Sequence, residues 1–167
     1  MNKTRSVCVR TFGALLTVFA TSLLYQPATA APPGSKLRSY FLTTNRFDGS
    51  EALRGCASGF HMASIWEIFD TSNLSYNTTL GLTREDSGSG PPSGVDGWIR
   101  TGVDALDLGI SAVGQSNCIA WTSSLSNRQG TLVMLEFQWV AEPSTVAPWN
   151  GSTSTCDTLQ HVWCVQD

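Results

Sequence analysis

Charged residues are scarce in this chain of 167 residues. They make up 14% of the sequence, the formal net charge is −3, and no run of basic residues follows the N-terminal segment. A protein that binds nucleic acid or an anionic membrane surface needs clustered Lys and Arg, because both partners are polyanions. The composition therefore argues against nucleic acid and against anionic membranes as partners.

Signatures of metal centres and of repeat architectures are also missing. No two cysteines have the Cys-x-x-Cys spacing, and His61 and His161 are the two histidines of the chain, too few for a histidine-rich metal centre. There is no internal repeat, and no helical periodicity is long enough for a coiled coil. The sequence therefore indicates no zinc site, no resident cofactor and no solenoid.

Glycine, serine, threonine and asparagine are plentiful, and the chain also contains six tryptophans and seven phenylalanines. The small polar residues favour turns and loops, whereas the aromatic residues supply enough apolar area for a hydrophobic core. A chain of this length makes about one domain. We expect a single, loop-rich globular domain rather than a disordered chain.

The N-terminus has the features of an export signal. Lys3, Arg5 and Arg10 precede an apolar run over residues 12–24, and Ala28-Thr29-Ala30 provides small residues for cleavage. The apolar run is shorter than the about 20 residues that a transmembrane helix needs. An uncleaved N-terminal anchor is the alternative.

Cleavage at this point would divide the chain into a signal peptide (1–30), a flexible leader (31–37) and a domain (38–167). Loss of the three basic residues would leave seven basic against thirteen acidic residues, a net charge of −6. We therefore expect a secreted or periplasmic protein with an acidic surface that does not insert into a membrane once the signal is removed.

Four cysteines remain after the predicted cleavage. An even number of cysteines in an exported chain predicts disulfide bonds, here two, with three possible connectivities. The four are Cys56, Cys118, Cys156 and Cys164.

The residue pattern predicts an α+β domain. Two short helical patterns precede several short β-branched and aromatic runs, an order typical of helices packed beside an antiparallel sheet. The first and last strands are expected to be neighbours. Strands are predicted over residues 38–43, 97–101, 118–122, 131–137 and 161–166, helices over 51–56 and 64–72, and loops over 73–97, 102–116 and 139–157.

Tryptophans divide into two groups by their sequence context. Those within periodic elements are predicted to lie in the core, and two in irregular, proline-containing segments are candidates for contacting a ligand. The core group is Trp66, Trp98, Trp121 and Trp163; the candidate ligand group is Trp139 and Trp149.

An ordered set of weak motifs runs through residues 40–166. It contains a helix with Ala and Cys, a His-Met-Ala-Ser-Ile run, a Trp-Ile strand, a Trp-Asn pair and late cysteines. This set resembles the C-type lectin-like fold, and it is closest to bacterial secreted variants carrying Cys-x-x-Trp-Thr-Ser and Val-Trp-Cys-Val. The resemblance implies two short helices beside small antiparallel sheets with long loops, and two nested disulfides, Cys56–Cys164 and Cys118–Cys156. The matching positions are Ala52, Cys56, 61–65, Trp98-Ile99, Cys118, Trp149-Asn150, Cys156 and Cys164.

The calcium motifs of the sugar-binding members are missing. Val-Gly-Gln-Ser-Asn stands before Cys118 without the expected Glu-Pro-Asn type of triplet, and Gly151 replaces the Asp after Trp149-Asn150. Calcium needs six to eight converging oxygen ligands, so no metal ligand is assigned. A different cation site in the loops is the alternative, but solvated carboxylates are the simpler interpretation. The carboxylates concerned are Glu85, Asp86, Asp96, Asp104 and Asp107.

Function is predicted to lie in three loops, residues 83–97, 101–117 and 139–150, because recognition commonly resides on loops held by a rigid scaffold. We expect these loops to bind an extracellular carbohydrate or protein without calcium. The candidate ligand-binding residues are Trp139, Trp149, Asn150, Asp104, Asp107 and Glu142.

Two other functions remain open. One is a structural or adhesion role in the cell envelope or matrix. The other, more distant, is an extracellular hydrolase, for which neither histidine has a nucleophile context and no spacing requires a carboxylate pair. The chain is therefore expected not to be an enzyme. The carboxylates that a glycosidase could assemble are Glu136, Glu142 and Asp157.

Overall fold

A computed structural model describes residues 37–85, 87–101, 116–136 and 148–167. The predicted signal peptide and leader, apart from residue 37, lie outside the described residues. Within the described part of the chain, no helix is long and apolar enough to cross a membrane.

Seven strands in the described residues form one mixed sheet beside two short helices, an α+β arrangement. The order is β3-β1-β7-β4-β5-β6, with β2 also paired to β7. The β1–β3 and β4–β7 pairs are parallel, so the sheet is mixed where an antiparallel one was predicted. The strands are β1 (Arg38–Leu42), β2 (Phe60–Met62), β3 (Leu74–Tyr76), β4 (Gly97–Trp98), β5 (Gln129–Leu135), β6 (Trp149–Thr155) and β7 (His161–Gln166); the helices are α1 (Ile65–Phe69) and α2 (Cys118–Trp121).

Strand β7 is the centre of the sheet. One of its edges pairs with β1 in antiparallel register, with Phe41 opposite Cys164, which confirms that the first and last strands are neighbours. The other edge pairs with β2 near its end and with β4 near its start. Because successive side chains of a strand point to opposite faces, Val162 and Trp163 enter two different apolar clusters.

Two disulfide bonds join the elements to this centre. Cys56 bonds to Cys164 in β7, with a sequence separation of 108, and Cys118 bonds to Cys156, with a separation of 38. The two bonds are nested, as the resemblance implies. The first ties the segment after the 3-10 turn Ala52–Arg54, where a longer helix was predicted, to the middle of the sheet.

Three of the four tryptophans predicted to lie in the core are buried: Trp98, Trp121 and Trp163. The prediction for Trp66 is wrong, because its side chain is 74% exposed. Helix α1 has five residues, and at 100° per residue Trp66 lies about 130° from the middle of the Ile65–Ile68 face. A helix this short buries one stripe, so Ile68 is fully buried and Trp66 faces solvent.

The predicted strand over residues 118–122 is instead the short helix α2, a single left-handed turn. Its four residues have φ between 46° and 60°, the left-handed region that non-glycine residues rarely adopt. The β-branched and aromatic composition indicates a strand, but tertiary contacts decide otherwise. Cys118 is bonded to Cys156, and Trp121 packs edge-on against Trp98 with ring centroids 5.6 Å apart.

Two strands occur where loops were predicted. Strand β3 lies within the predicted loop 73–97, and β6 lies within the predicted irregular segment 139–157. Strand β6 has the sequence Trp-Asn-Gly-Ser-Thr-Ser-Thr, without apolar alternation, and its seven residues all pair with β5. Backbone pairing to an existing strand, rather than side-chain burial, therefore defines this edge.

Glu67 connects α1 to the start of β1 and to β2. Its backbone N–H donates to Ser64 Oγ, and its carboxylate accepts from the Ser64 N–H at 2.9 Å, which completes a capping box. Arg38 and His61 approach the carboxylate at 3.3 and 3.2 Å. Burial is the largest single influence and raises the pKa of Glu67, but the hydrogen bonds from Ser64 and His61 together outweigh it and lower the pKa to about 2.

Acidification should therefore cost stability through Glu67. The folded-state pKa lies below the ordinary value of 4.5. The contribution of the ionised Glu67 carboxylate to the free energy of unfolding is therefore complete above about pH 4.5 and is lost as the pH falls towards 2. The expected loss is about 1–2 kcal/mol once solvent screening is allowed for. Urea unfolding at about pH 6 and pH 3 measures it.

The variant Glu67→Gln isolates this contribution, and Glu51→Gln, which changes an exposed carboxylate, is the matched control. Wild type and Glu51→Gln should lose more stability between the two pH values than Glu67→Gln does. Equal losses in all three proteins would show that Glu67 carries no such linkage.

Candidate functional site

Two of the predicted ligand-binding residues, Trp149 and Asn150, lie together at the start of β6. Trp149 pairs with Leu135 and Asn150 with Met134. The N–H of Glu136 donates to the carbonyl of Pro148 at 3.0 Å, which extends the ladder one step further. Trp149 therefore belongs to a regular strand, and its placement in an irregular segment was wrong.

Trp149 is half-buried and shares the core. Its ring meets Trp163 edge-on, with centroids 5.3 Å apart and planes at 88°, an arrangement that stabilises aromatic pairs. Much of its surface is thus committed to packing. Trp149 therefore anchors the start of β6, and only part of its ring is accessible to a ligand.

Asn150 is exposed and forms a polar pair with Glu136. Its Nδ2 donates to Glu136 Oε1 at 2.7 Å. An asparagine side chain also carries a carbonyl acceptor, and no described residue donates to that oxygen. The pair presents a carboxylate and an amide on a strand end held by seven backbone pairs. The sequence indicates Glu136 only as a candidate catalytic carboxylate; its pairing with Asn150 depends on the β5–β6 register and leaves no local signal.

The segment that leads into β4 reaches the same end of β5. The Gly94 N–H donates to the Leu135 carbonyl at 2.7 Å, and Ser93 forms a bridge with Leu135. Asp96 follows, and Ser152 Oγ donates to it at 3.5 Å. Burial raises the pKa of Asp96, and the hydrogen bond from Ser152 partly opposes this.

The described ends of the predicted loop over residues 101–117 lie elsewhere. Thr101 and Ser116 flank residues 102–115, and Ser116 accepts from the Thr131 N–H at 2.8 Å, near the opposite end of β5 from Glu136. Four residues of strand, about 13 Å, separate Thr131 from Leu135. The described end of loop 101–117 at Ser116 therefore meets a different part of β5 from the described ends of loops 83–97 and 139–150.

Four predicted site residues, Trp139, Asp104, Asp107 and Glu142, lie outside the described residues, as does Asp86. Among the residues that the structure does describe, no three His, Cys, Asp or Glu side chains gather as a metal site would require. The candidate ligand site is therefore defined by Trp149, Asn150 and Glu136.

Both histidines have structural contacts. His161 is buried; its Nδ1 donates to the Thr43 carbonyl at 2.6 Å and its Nε2 accepts from Arg46 Nε at 3.2 Å. Burial is the main cause that lowers the pKa of His161, so the ring is neutral near pH 7. His61 lies between Asp167 and Glu67. Neither arrangement places an imidazole beside a serine or cysteine nucleophile among the described residues.

Comparison of the chain with protein-family models, with curated proteins and with solved structures found no match.

Proposed function

We propose that this chain is an exported binding module with a C-type lectin-like fold. It recognises an extracellular carbohydrate or protein at the end of the β5–β6 pair, without calcium and without catalysis. The two disulfides support export, because such bonds persist in non-reducing compartments. They agree with the signal peptide predicted over residues 1–30.

The observation that carries the proposal is the exposed Asn150–Glu136 pair on a rigid strand end. Amide and carboxylate groups bind hydroxyl and peptide groups of a ligand through directional hydrogen bonds. Their position is held by the β5–β6 ladder and by the packing of Trp149 on Trp163. Little ordering is therefore needed when a ligand binds, which favours affinity.

The oxygen atoms of the Asn150–Glu136 pair support calcium independence, because they are too few to hold a calcium ion. A calcium ion requires six to eight oxygen ligands, and the Glu136 carboxylate already accepts from the Asn150 amide. Gly151 follows Asn150 where an acidic residue would supply a further ligand.

A structural or adhesion role is the second candidate, and strand β6 favours it. Among the described strands β6 pairs with β5 alone and ends the sheet order. An edge strand presents unpaired N–H and C=O groups that a strand from another protein can bind. Asn150 and Ser152 are exposed along this edge.

Replacing Asn150 with alanine should lower ligand affinity at least about tenfold, the equivalent of one lost hydrogen bond to a ligand. The measurement is a glycan array with the mature chain, with and without EDTA, followed by titration of the best ligand. Ser152→Ala is the matched control, because Ser152 is also exposed on β6, two residues further on.

Retained affinity in Ser152→Ala, together with binding that EDTA does not change, would support the assignment. Unchanged affinity in Asn150→Ala would remove this site, and loss of binding in EDTA would contradict calcium independence. Absence of glycan binding, with capture of a protein partner that the edge variant Ser152→Pro disrupts, would favour the adhesion role.

A further inference from the structure

The exposed ring of Trp66 borders a groove at the opposite side of the sheet from Asn150. The groove has a volume of about 250 Å³. Strands β3 and β6 are the two ends of the strand order, with four strands between them, and neither Asn150 nor Glu136 lines the groove. This groove is therefore separate from the site proposed above. Its lining residues are Arg38, Trp66, Glu67, Asp70, Asn73 and Leu74.

One wall of the groove is rigid and already hydrogen-bonded. Glu67 accepts from Arg38, Ser64 and His61. Arg38 Nε also donates to the Gln166 carbonyl at 2.8 Å, which fixes the guanidinium against β7. These groups shape the groove but have little hydrogen-bonding capacity left for a ligand.

The opposite rim has unused hydrogen-bonding groups. The Trp66 indole N–H and the Asn73 side-chain amide pair with no described residue, and both residues are exposed. Asp70 accepts from the Ser72 N–H and Oγ through one carboxylate oxygen, Oδ1. These hydrogen bonds lower the pKa of Asp70, so it is an ionised acceptor. The rim thus offers donors and acceptors around an exposed aromatic face.

The charged residues that line the groove indicate which chemical class of ligand it can bind. Arg38 is paired with Glu67, and Asp70 adds a second carboxylate, so an anionic ligand such as a phosphate would be repelled. A cationic ligand would gain little, because the Glu67 oxygens already have partners and the fully exposed Asp70 is screened by water. A neutral ligand with hydroxyl groups fits best.

We propose that the Trp66 groove binds a single neutral saccharide ring. A sugar ring has an apolar C–H face that stacks on an aromatic ring, and hydroxyl groups that both donate and accept hydrogen bonds. Trp66 supplies the aromatic face, Leu74 the apolar wall, and Asp70 and Asn73 the hydrogen-bonding rim. The volume is below the range of about 300–1,000 Å³ that larger ligands occupy, which limits the site to one ring.

The test is titration of the mature chain with neutral sugars: glucose, galactose, mannose and N-acetylglucosamine. Two-dimensional NMR follows the indole N–H signals of the tryptophans, and calorimetry gives the affinity. We expect the Trp66 indole signal to shift with at least one sugar. Trp66→Ala should lose at least about tenfold in affinity, and Trp66→Phe should retain part of it.

Two variants serve as controls. Phe69→Ala changes another half-exposed aromatic residue of α1 that does not line the groove, and it should bind like the wild type. Asn150→Ala should also leave this affinity unchanged, which separates the two sites. If Asn150→Ala alone abolishes sugar binding, the proposed function stands and the Trp66 site falls.

Three outcomes would overturn the Trp66 site: no shift of the Trp66 indole signal with any of the sugars, wild-type affinity in Trp66→Ala, or equal loss in Phe69→Ala and Trp66→Ala. Unfolding midpoints of the variants establish that lost binding is not lost folding. Because Trp66 is exposed, its replacement is expected to leave the midpoint unchanged.

Discussion

Replacing Cys56 and Cys164 together with alanine should lower the free energy of unfolding by about 5 kcal/mol. In the chain-entropy account, a crosslink stabilises by restricting the unfolded chain, and the effect grows with the length of the loop it closes. This bond joins residues separated by 108 positions. It also anchors the end of the first 3-10 turn to β7, the strand on which the sheet is centred.

The double variant of Cys118 and Cys156 is the internal comparison. Its loop is shorter, with a separation of 38, so the same account gives a loss of about 4 kcal/mol. Without the disulfide, the left-handed turn at Cys118 can relax. This relaxation should make the loss of stability smaller still, because each non-glycine residue with left-handed backbone angles costs about 1–2 kcal/mol.

Urea unfolding of the two variants under oxidising conditions tests this order. A larger loss in the Cys118/Cys156 variant would contradict loop length as the dominant cause and would indicate that local packing around α2 determines stability. Non-reducing peptide mapping of the wild-type protein should recover the Cys56–Cys164 and Cys118–Cys156 peptides.

Trp163→Ala should lower the free energy of unfolding by about 3–5 kcal/mol. The side chain has no exposed surface, and its ring lies between Tyr40 and Trp149. Its indole N–H donates to the Val133 carbonyl at 2.8 Å. Alanine would leave a cavity and an unsatisfied buried carbonyl, and both lower stability.

Trp66→Ala is the matched control, because it removes the same side chain from an exposed position. Its effect should stay within about 0.5 kcal/mol. Trp163→Phe should lie between the two, since it keeps most of the ring but leaves the Val133 carbonyl without its donor. Similar losses for Trp66→Ala and Trp163→Ala would contradict the burial described for these two residues.

The sequence predicts the structure well where the local apolar pattern matches the observed burial. The run His-Val-Trp-Cys-Val-Gln is apolar enough to predict the central strand β7, and Arg-Ser-Tyr-Phe-Leu predicts β1 beside it. The sequence predicts the structure less well where the pairing of other segments or the length of an element determines it. Strand β6 has no apolar alternation and exists because β5 offers it a backbone partner, and Trp66 is exposed because α1 is too short to bury a second face.

The candidate site shows the same division. Asn150 was selected from its place beside Trp149, but Glu136 became its partner only through the register that sets Met134 opposite Asn150. A separation of 14 residues leaves no periodic signal for such a pair. The roles of Asp104, Asp107, Trp139 and Glu142 remain predictions from the sequence.

The sequence was enough to predict β1 and β7 at the middle of the sheet and the burial of Trp98, Trp121 and Trp163, because apolar patterning and β-propensity act locally. Tertiary structure alone decided the left-handed turn at Cys118, the polar edge strand β6 and the exposure of Trp66. The turn depends on the disulfide to Cys156, β6 depends on the neighbouring backbone of β5, and the exposure of Trp66 depends on the limited face that a five-residue helix can bury.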